Sequence, residues 1–331
     1  MKVNIKDVAQ AAGVAQSTVS RVMNKSGYVS KQTCAKVIKA MEDLGYSPSA
    51  LAVSFSKSQT RIIGFIVPNI GIDFFGKLLF AADKLATQNN YRMILCNSDD
   101  NSDKERCAIL DLLSYKVCGI LIVPVENSPN SDLINRIQKS GTPVICVDKE
   151  MKGVQCDTIY INNQNGAQEL TQYAISHGHK NISFLIYDSH SSVTSSFIKG
   201  IQTAYELNNM QLPPDSIFTG TEFKVCSEFV KSQYQKSERP SIFLSFSSDF
   251  TIICYHTLVS LNANIGIDTD ILGYDNMHIL YSNGYQLEHT PSAEDMGTLA
   301  IRMLLNRIEN PEDNLPSQFV ALPTNVIINK I

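Results

Sequence analysis

Residues 15–24, AQSTVSRVMN, combine side chains that can exchange hydrogen bonds with a short apolar stripe. On a helix beginning near residue 16, the stripe formed by Val19, Val22 and Met23 falls on one side. The other side carries hydroxyl, amide and guanidinium groups at i+3 and i+4 steps, from Gln16, Ser17, Ser20, Arg21 and Asn24. Such groups are the donors and acceptors that read base edges in the major groove of DNA.

Two neighbouring helices are predicted to hold this one in place. Asn4 is a good N-cap with Asp7 in the first turn, and Gly13 permits a tight turn after an apolar stripe. Ser30 can cap a third helix that ends at Gly45. The stripe of the third helix is Cys34, Val37, Ile38, Met41 and Leu44.

Three short helices with a glycine turn between the first two form a helix-turn-helix. In this motif the second helix enters the major groove. The polar face of residues 16–24 is therefore predicted to contact DNA, while the apolar face builds a small core. The alternative is a three-helix bundle whose polar face is only solvated.

Charge is divided unevenly along the 331 residues. Residues 1–61 hold nine Lys and Arg against three acids, a net charge of +6. Residues 62–331 hold 19 Lys and Arg against 29 acids, a net charge of −10. A basic head on an acidic body suggests that the head meets a polyanion.

From residue 61 onward, short apolar runs alternate with helical stretches. The runs are IIGFIVP, YRMILCN, VCGILIVPV, PVICVD, NISFLI, SIFLSF and DILGYD. Helices are predicted near 74–89, 103–116, 164–177, 194–208, 249–262 and 293–309. This alternation indicates an α/β fold with two doubly wound parallel sheets. Ligands bind such sheets at the carboxyl ends of the strands, so we expect one in the cleft between the two.

Several classes of protein are disfavoured. No stretch approaches the roughly 20 apolar residues of a membrane span, and the N-terminus lacks the apolar segment of a signal peptide, so a cytoplasmic protein is expected. The eight scattered cysteines favour buried thiols in a reducing compartment over disulfides or metal ligands. Without a dinucleotide, P-loop, GxSxG or HExxH motif, we expect no cofactor, no metal and no enzymatic activity.

Two polar clusters in the body receive structural interpretations. Asp99 and Asp100 are expected to cap the helix that follows them rather than to catalyse. His177 and His179 lie two apart on a turn between a helix and a strand, which favours a structural role over a metal site.

The first 60 residues resemble the head of the lactose-repressor (LacI/GalR) family almost without gaps. IKDVAQAAGV, STVSRVMN and KVIKAMEDLGYSPSALA carry the likeness. The resemblance implies that Gln16, Ser17 and Arg21 read bases. It also implies phosphate contacts from Thr18, Ser20, Asn24, Ser30 and Thr33. Ala15 departs from the family, which usually has a Ser cap there, and the loss costs about 1 kcal/mol of capping.

Residues 47–60 form a polar stretch that is too short for an independently stable helix. A flexible linker is one interpretation. In the similar family this segment folds into a hinge helix on operator DNA and inserts a Leu into the minor groove. The resemblance therefore implies DNA contacts from Ala52 and Phe55. Phe55 stands at the Leu position, where it would act as an apolar wedge between base steps.

The body resembles the core of the same family, which is similar to periplasmic sugar-binding proteins. FIVPNIGIDFFGKL, ILCNSDDNSDKE, CGILIVP, HGHKNI and ILGYDN carry this likeness. It implies an effector cleft lined by Phe74, Phe75, Asp148, Phe223 and Asp275. Aromatic rings would pack on the C–H faces of a sugar, and carboxylates would accept hydrogen bonds from its hydroxyl groups.

Three positions of the body depart from the family pattern. Phe197 stands where an effector-binding Arg is frequent, and Ser248 stands where an Asn is expected. Asn162 replaces an Asp in the crossover strand. Losing the Arg removes five hydrogen-bond donors and a fixed charge, which disfavours an anionic effector bound in that way.

The sequence therefore predicts a dimeric regulator, a repressor, that binds palindromic double-stranded operator DNA and senses a sugar or sugar phosphate. One alternative is control by a partner protein instead of a small molecule. Another is a sugar-binding protein or enzyme with an incidental basic head.

The predicted domains are a helix-turn-helix head, a hinge and a core, over residues 1–46, 47–60 and 61–331. The core is divided into two subdomains, the first at about 61–161 and 292–320 and the second at about 162–290 and 321–331.

Overall fold

The computed structural model describes the chain in seven segments, residues 3–24, 27–46, 60–187, 191–274, 285–290, 293–311 and 316–330. The chain divides into two compact units, Met1–Thr60 and Arg61–Ile331. We call them the head and the core.

Three helices lie in the described part of the head, α1 (Ile5–Ala12), α2 (Gln16–Asn24) and α3 (Lys31–Asp43). The Asn4 side chain accepts from the backbone N–H of Lys6, while the Asp7 carboxylate accepts from the Asn4 N–H, each at 2.8 Å. The Ser30 hydroxyl accepts from the Thr33 N–H at 3.2 Å. The caps predicted at residues 4 and 30 are thus confirmed.

A small apolar cluster joins the three helices. Its buried members are Val8, Ala9, Val19, Val37 and Ala40. The predicted stripe of α3 was wrong at one position: Ile38 is half exposed, and Ala40 is buried instead. Each residue turns about 100° around a helix, so Ile38 lies outside the face that Val37, Ala40, Met41 and Leu44 present to the cluster.

The core contains ten strands in two parallel sheets and two more in a ribbon, among the described residues. The strands are β1 (Ile62–Val67), β2 (Arg92–Asn97), β3 (Gly119–Ile122), β4 (Val144–Val147), β5 (Asp157–Ile161), β6 (Ile182–Tyr187), β7 (Ile217–Gly220), β8 (Ile242–Ser245), β9 (Asp270–Gly273), β10 (Tyr285–Thr290), β11 (Phe319–Leu322) and β12 (Asn325–Lys330). The helices are α4 (Asp73–Gln88), α5 (Ser102–Ser114), α6 (Ser131–Lys139), α7 (Asn163–Ser176), α8 (Ser192–Leu207), α9 (Phe223–Tyr234), α10 (Ser248–Ser260) and α11 (Ala293–Glu309).

The first sheet has the order β11-β5-β4-β3-β1-β2, and every neighbouring pair is parallel. Helices α4 and α11 pack on one face of it, and α5 and α6 pack on the other. Arg307 of α11 donates from Nε and Nη2 to the buried carboxylate of Asp157 at 2.9 and 2.8 Å. This bidentate pair ties α11 to β5. We call the sheet with these four helices the first lobe.

The second sheet has the order β7-β6-β8-β9 and is also parallel throughout. Helices α7 and α8 cover one face, and α9 and α10 cover the other. Strands β10 and β12 form a separate antiparallel ribbon beside α7. We call these elements the second lobe. The predicted fold class, with two doubly wound parallel sheets, is confirmed; α6, α9 and the antiparallel ribbon were not predicted.

The chain passes between the lobes three times. It enters the second lobe at Asn162, returns to the first lobe before α11, and leaves again between β11 and β12. The Asn165 side chain donates to the Thr324 hydroxyl at 2.9 Å, which joins the first passage to the third. None of the described helices combines the length and the apolar composition that a bilayer crossing requires.

Candidate DNA interface and effector cleft

The candidate DNA interface is the outward face of α2. Gly13 ends α1 in the left-handed region, at φ 65°, and its N–H bonds back to Ala9 and Gln10. A residue with a Cβ would be strained there, so glycine sets the turn between the two helices. Val19, fully buried, then fixes which side of α2 faces the head core.

The predicted base readers all lie on the exposed side of α2. The side chains of Gln16, Ser17 and Arg21 are exposed, and Arg21 forms no ion pair with any other described residue. A guanidinium left unpaired on a protein surface is available to the paired acceptors of a guanine edge. The arrangement therefore presents amide, hydroxyl and cationic donors on one helical face.

The predicted phosphate contacts occupy a second group of positions. Thr18 and Ser20 are half buried on α2, and Ser30 and Thr33 share a 2.9 Å hydroxyl contact at the start of α3. Hydroxyl groups and the N–H groups at a helix N-terminus suit phosphate oxygens. Three predicted DNA contacts lie outside the described structure: the side chain of Asn24 and residues Ala52 and Phe55.

In the first lobe, the side chains predicted to hold an effector follow the carboxyl ends of the strands. Phe74 and Phe75 open α4 after β1, with ring centroids 5.3 Å apart in an edge-to-face arrangement. Phe75 is buried in the sheet core, so Phe74, half buried, is the better placed of the two to contact a ligand. Asp148 directly follows β4.

Asp148 is held in an unusual state. Its φ is 71°, a left-handed conformation that non-glycine residues rarely adopt, and strain of this kind gathers at functional sites. Its half-buried carboxylate has no hydrogen-bond partner among the described residues. Burial raises the pKa of this carboxyl group, and the neighbouring Lys149 opposes the rise. A desolvated carboxylate at a strand end is ready to accept hydroxyl donors.

In the second lobe, three aromatic rings meet at the strand ends. Phe197 of α8 lies 4.8 Å from Phe246 and 5.2 Å from Tyr274 between ring centroids, and the other two rings are 5.4 Å apart. The three side chains are 7%, 6% and 4% exposed. The position where the family often has an effector-binding Arg therefore belongs to an apolar cluster. Gly166 is required beneath it, since a Cβ there would lie 2.2 Å from the Tyr274 hydroxyl.

The remaining predicted effector residues are more scattered. Phe223 begins α9 after β7 and is half exposed, with its ring 6.2 Å from that of buried Phe250. Ser248 begins α10, one residue after its N-cap Ser247. Asp275 lies outside the described residues. The geometry thus brings Phe197 together with two rings that the sequence did not single out.

Sequence reasoning also missed a contact between the lobes. The Glu126 carboxylate accepts from the N–H and the hydroxyl of Ser192, each at 3.2 Å. Glu126 follows β3 and Ser192 begins α8, so the carboxyl edges of the two sheets meet here. The signal that the sequence offered for this contact was an acidic residue shortly after a strand, as it was for Asp148. A negative charge at the start of a helix is favourable.

A second buried carboxylate holds the loop that carries Glu126. Glu105 of α5 is fully buried and accepts from the Val125 N–H at 2.7 Å, the Ser128 hydroxyl at 2.5 Å and the Asn130 side chain at 2.9 Å. Three donors to one carboxylate fix the loop over 125–130. Across the described segments, no three His, Cys, Asp or Glu side chains gather as a metal site would require.

The comparisons with known proteins agree with this architecture. Residues 4–49 match the family described as "Bacterial regulatory proteins, lacI family", and residues 60–210 match "Periplasmic binding proteins and sugar binding domain of LacI family".

Two curated relatives cover nearly the whole chain. The transcriptional repressor PurR of Vibrio vulnificus (strain CMCP6) is 30% identical over 317 residues, covering 93% of this chain and 92% of the relative. Catabolite control protein A of Priestia megaterium is 27% identical over 329 residues, covering 98% of each chain.

A solved structure shows the same fold. The crystal structure of the Lac repressor dimer bound to operator and the anti-inducer ONPF superposes with a TM-score of 0.81 at 20% identity, covering 100% of this chain and 99% of that one. The chain belongs to the LacI family of bacterial regulatory proteins, DNA-binding transcriptional regulators with a core like the periplasmic binding proteins.

Proposed function

We propose that this protein is a cytoplasmic repressor that binds a palindromic operator as a dimer. The observation that carries the proposal is the exposed face of α2, which presents Gln16, Ser17 and Arg21 while Val19 anchors the opposite face. In this proposal Gln16, Ser17 and Arg21 read base edges. Phosphate oxygens are bound by Thr18, Ser20, Asn24, Ser30 and Thr33.

The test is a binding-site selection with the full chain, followed by titration against the selected and a scrambled duplex. We expect one enriched palindrome, and an affinity that falls steeply with salt because head cations displace counterions. A chain reduced to residues 61–331 should not shift the selected duplex. Retained binding by that shortened chain would place the DNA interface elsewhere.

The hinge, residues 47–60, is proposed to complete the interface through Ala52 and Phe55. Phe55 would enter the minor groove and open a base step. Phe55→Ala should then weaken binding to the operator and reduce its bending, with non-specific affinity almost unchanged. Phe55→Leu should keep most of the specific affinity. A lower melting temperature with normal bending would instead indicate that Phe55 packs within the protein.

Dimerisation is assigned to the core, since a palindrome demands two heads and the head is too small for a large interface. Strand β2 is an edge of the first sheet, and its Leu95 is 45% exposed. Phe80 of α4, which packs on β2, is 69% exposed. Light scattering should show a dimer at micromolar concentration, and Phe80→Glu with Leu95→Glu should give monomers. A wild-type monomer would contradict the assignment.

The core is proposed to bind a carbohydrate-like effector between its two lobes. Asp148 supplies an acceptor for hydroxyl groups, and Phe74 supplies a ring for a C–H face. The aromatic cluster around Phe197 favours an uncharged sugar over a sugar phosphate, since it offers no cation. A sugar at 100 times its Kd should stabilise the core by about 2.7 kcal/mol in a thermal-shift screen.

Control by a partner protein is the second candidate. It is favoured by the burial of the Phe197 cluster, which leaves little ring area for a ligand. A screen in which no sugar stabilises the core, while operator binding persists, would support this candidate over a small-molecule effector.

A further inference from the structure

Two thiols of the first lobe lie in contact with each other. Cys146 is on β4, and Cys156 immediately precedes the neighbouring strand β5. Their Sγ atoms are 3.2 Å apart, and both side chains are buried in the same apolar cluster. Cys146 pairs in register with Thr158, and residues 156 and 158 share one face because side chains alternate along a strand. Both thiols therefore belong to one side of the sheet.

We propose that Cys146 and Cys156 form a site of oxidative modification, at which a hydroperoxide converts the two thiols into an intramolecular disulfide. An S–S bond is about 2.05 Å long, so the sulfurs must approach by roughly 1.2 Å. Cys156 lies just outside β5, and its backbone is less constrained than a residue within the ladder. In reducing compartments, disulfides of this kind are transient and redox-sensing.

The chemistry needs one equivalent of peroxide. The Cys156 thiol loses its proton, and the thiolate attacks one peroxide oxygen. The O–O bond breaks, Cys156 becomes a sulfenic acid, and the leaving oxygen takes up the proton to depart as water, or as an alcohol from an organic peroxide. The Cys146 sulfur then attacks the sulfenic sulfur, loses its proton and expels hydroxide, which leaves as water. Two sulfurs are oxidised to a disulfide, and the two peroxide oxygens are reduced.

The surroundings agree with this division of roles. The hydrogen-bonding contact between the two sulfurs lowers the pKa of Cys156 and raises the pKa of Cys146. Of the two thiols, Cys156 is therefore the more readily deprotonated, and the thiolate is the reactive form. An open polar groove of about 670 Å³ lies between α6 and the loop that precedes β5, where Gly153 and Gln155 line it. It brings solvent to the residue next to Cys156.

The bond would enclose a functional loop. The ring closed by residues 146 and 156 contains Asp148, whose backbone has a positive φ at the end of β4. Oxidation would then restrict the loop that holds the proposed effector ligand. This consequence rests on the proposed effector role, whereas the disulfide itself does not.

The test uses the reduced full-length protein in excess hydrogen peroxide at neutral pH. Free thiols are then alkylated under denaturing conditions, and the protein is digested with trypsin without reduction. Lys149 and Lys152 lie between the two cysteines, so the disulfide joins two separate peptides. We expect a linked pair that is lighter by two hydrogen atoms than its reduced halves and that disappears after dithiothreitol treatment.

The other cysteines provide controls within the same digest. Cys107 is exposed and reports that the oxidant acted. Cys226 and Cys254 are buried in the second lobe, where desolvation raises the pKa of Cys226 to about 12, and should remain alkylated thiols. In Cys146→Ser, Cys156 should accumulate as a sulfenic acid that dimedone traps.

The proposal is overturned if Cys107 is fully oxidised while no linked peptide forms, or if the link appears only after unfolding in urea. Operator binding by the reduced sample is measured in parallel. Failure of that binding would count against the proposed function and leave the disulfide standing, so the two failures are distinguishable.

Discussion

The head and the core place their functional side chains in opposite ways. The head buries a few small side chains between three helices and leaves its predicted DNA contacts exposed on one helical face. The core holds its candidate ligands half buried and strained after a strand, as at Asp148, or packed within an aromatic cluster, as at Phe197. A partner surface can therefore be recognised from one helix, whereas a cleft depends on pairings between residues far apart in the chain.

The largest predicted effect tests whether the two units are independent in stability. Arg307→Met leaves the Asp157 carboxylate, 5% exposed, without its bidentate partner. Breaking a buried ion pair costs about 3–5 kcal/mol, so the core should unfold at much lower urea concentration. Arg302→Met, which removes an exposed Arg from the same helix, is the control. An equal loss of head stability would contradict the independence of the units.

The next effect belongs to the head alone. Arg21→Ala should reduce discrimination between operator and scrambled duplex by about 1–3 kcal/mol, roughly 5- to 150-fold, since a bidentate contact to guanine is lost. The unfolding of the core should not change. Lys39 is an exposed cation of α3, and Lys39→Ala should weaken binding to both duplexes by the same factor. If Arg21→Ala behaves in that same uniform way, Arg21 contacts phosphate instead of a base.

A smaller effect is expected at Asp148 in the core, where stability and ligand binding should change in opposite directions. Asp148→Asn should raise the unfolding free energy by about 1 kcal/mol at neutral pH, because a desolvated carboxylate is removed and Asn tolerates positive φ better. The same change should weaken binding of any sugar found in the screen. A variant that is less stable than wild type at neutral pH would show that the carboxylate has a partner.

The pH dependence follows from the direction of the pKa shift. The folded state raises the pKa of Asp148, so it favours the protonated acid. The contribution of this group to stability is therefore full below the pKa of the unfolded chain and is lost as pH rises through the higher folded value. The advantage of Asp148→Asn over wild type should grow from acid to neutral pH in matched urea titrations.

The smallest predicted effect concerns the contact between the lobes. Glu126→Gln removes the negative charge that faces the start of α8, which is worth about 0.5–1 kcal/mol. Amides in the first turn of α8 should exchange with solvent a few-fold faster. Glu222 is an exposed acid just before α9 whose side chain makes no capping bond, so Glu222→Gln should leave the exchange of the α8 amides unchanged. Unaltered exchange in Glu126→Gln would mean that the contact does not hold the lobes together.

Local rules predicted what depends on neighbours in the sequence. Asn4 and Ser30 were correctly assigned as caps, because a cap needs only the next three residues. The same rule was wrong after β2: Asn101 caps α5, while Asp99 pairs with Lys104 and Asp100 turns with a positive φ. Several nearby acids and amides could serve there, and the turn geometry decides among them.

The contacts that could not be predicted from the sequence join residues that lie far apart in the chain. Glu126 and Ser192 are separated by many residues and meet only because the two sheets face each other at their carboxyl edges. The burial of Phe197 on α8 depends on Phe246 and Tyr274, which directly follow β8 and β9. The cysteines were expected to be buried, yet Cys107 lies on the outer side of α5 and is exposed. No spacing rule in the chain encodes these neighbours.

The threefold passage of the chain between the lobes has a mechanical consequence. A single connection would leave one lobe free to twist about it, whereas several connections restrict twisting and sliding. The hydrogen bond from Asn165 to Thr324 joins the first of these connections to the third. A movement of one lobe against the other must therefore carry both of these connections with it.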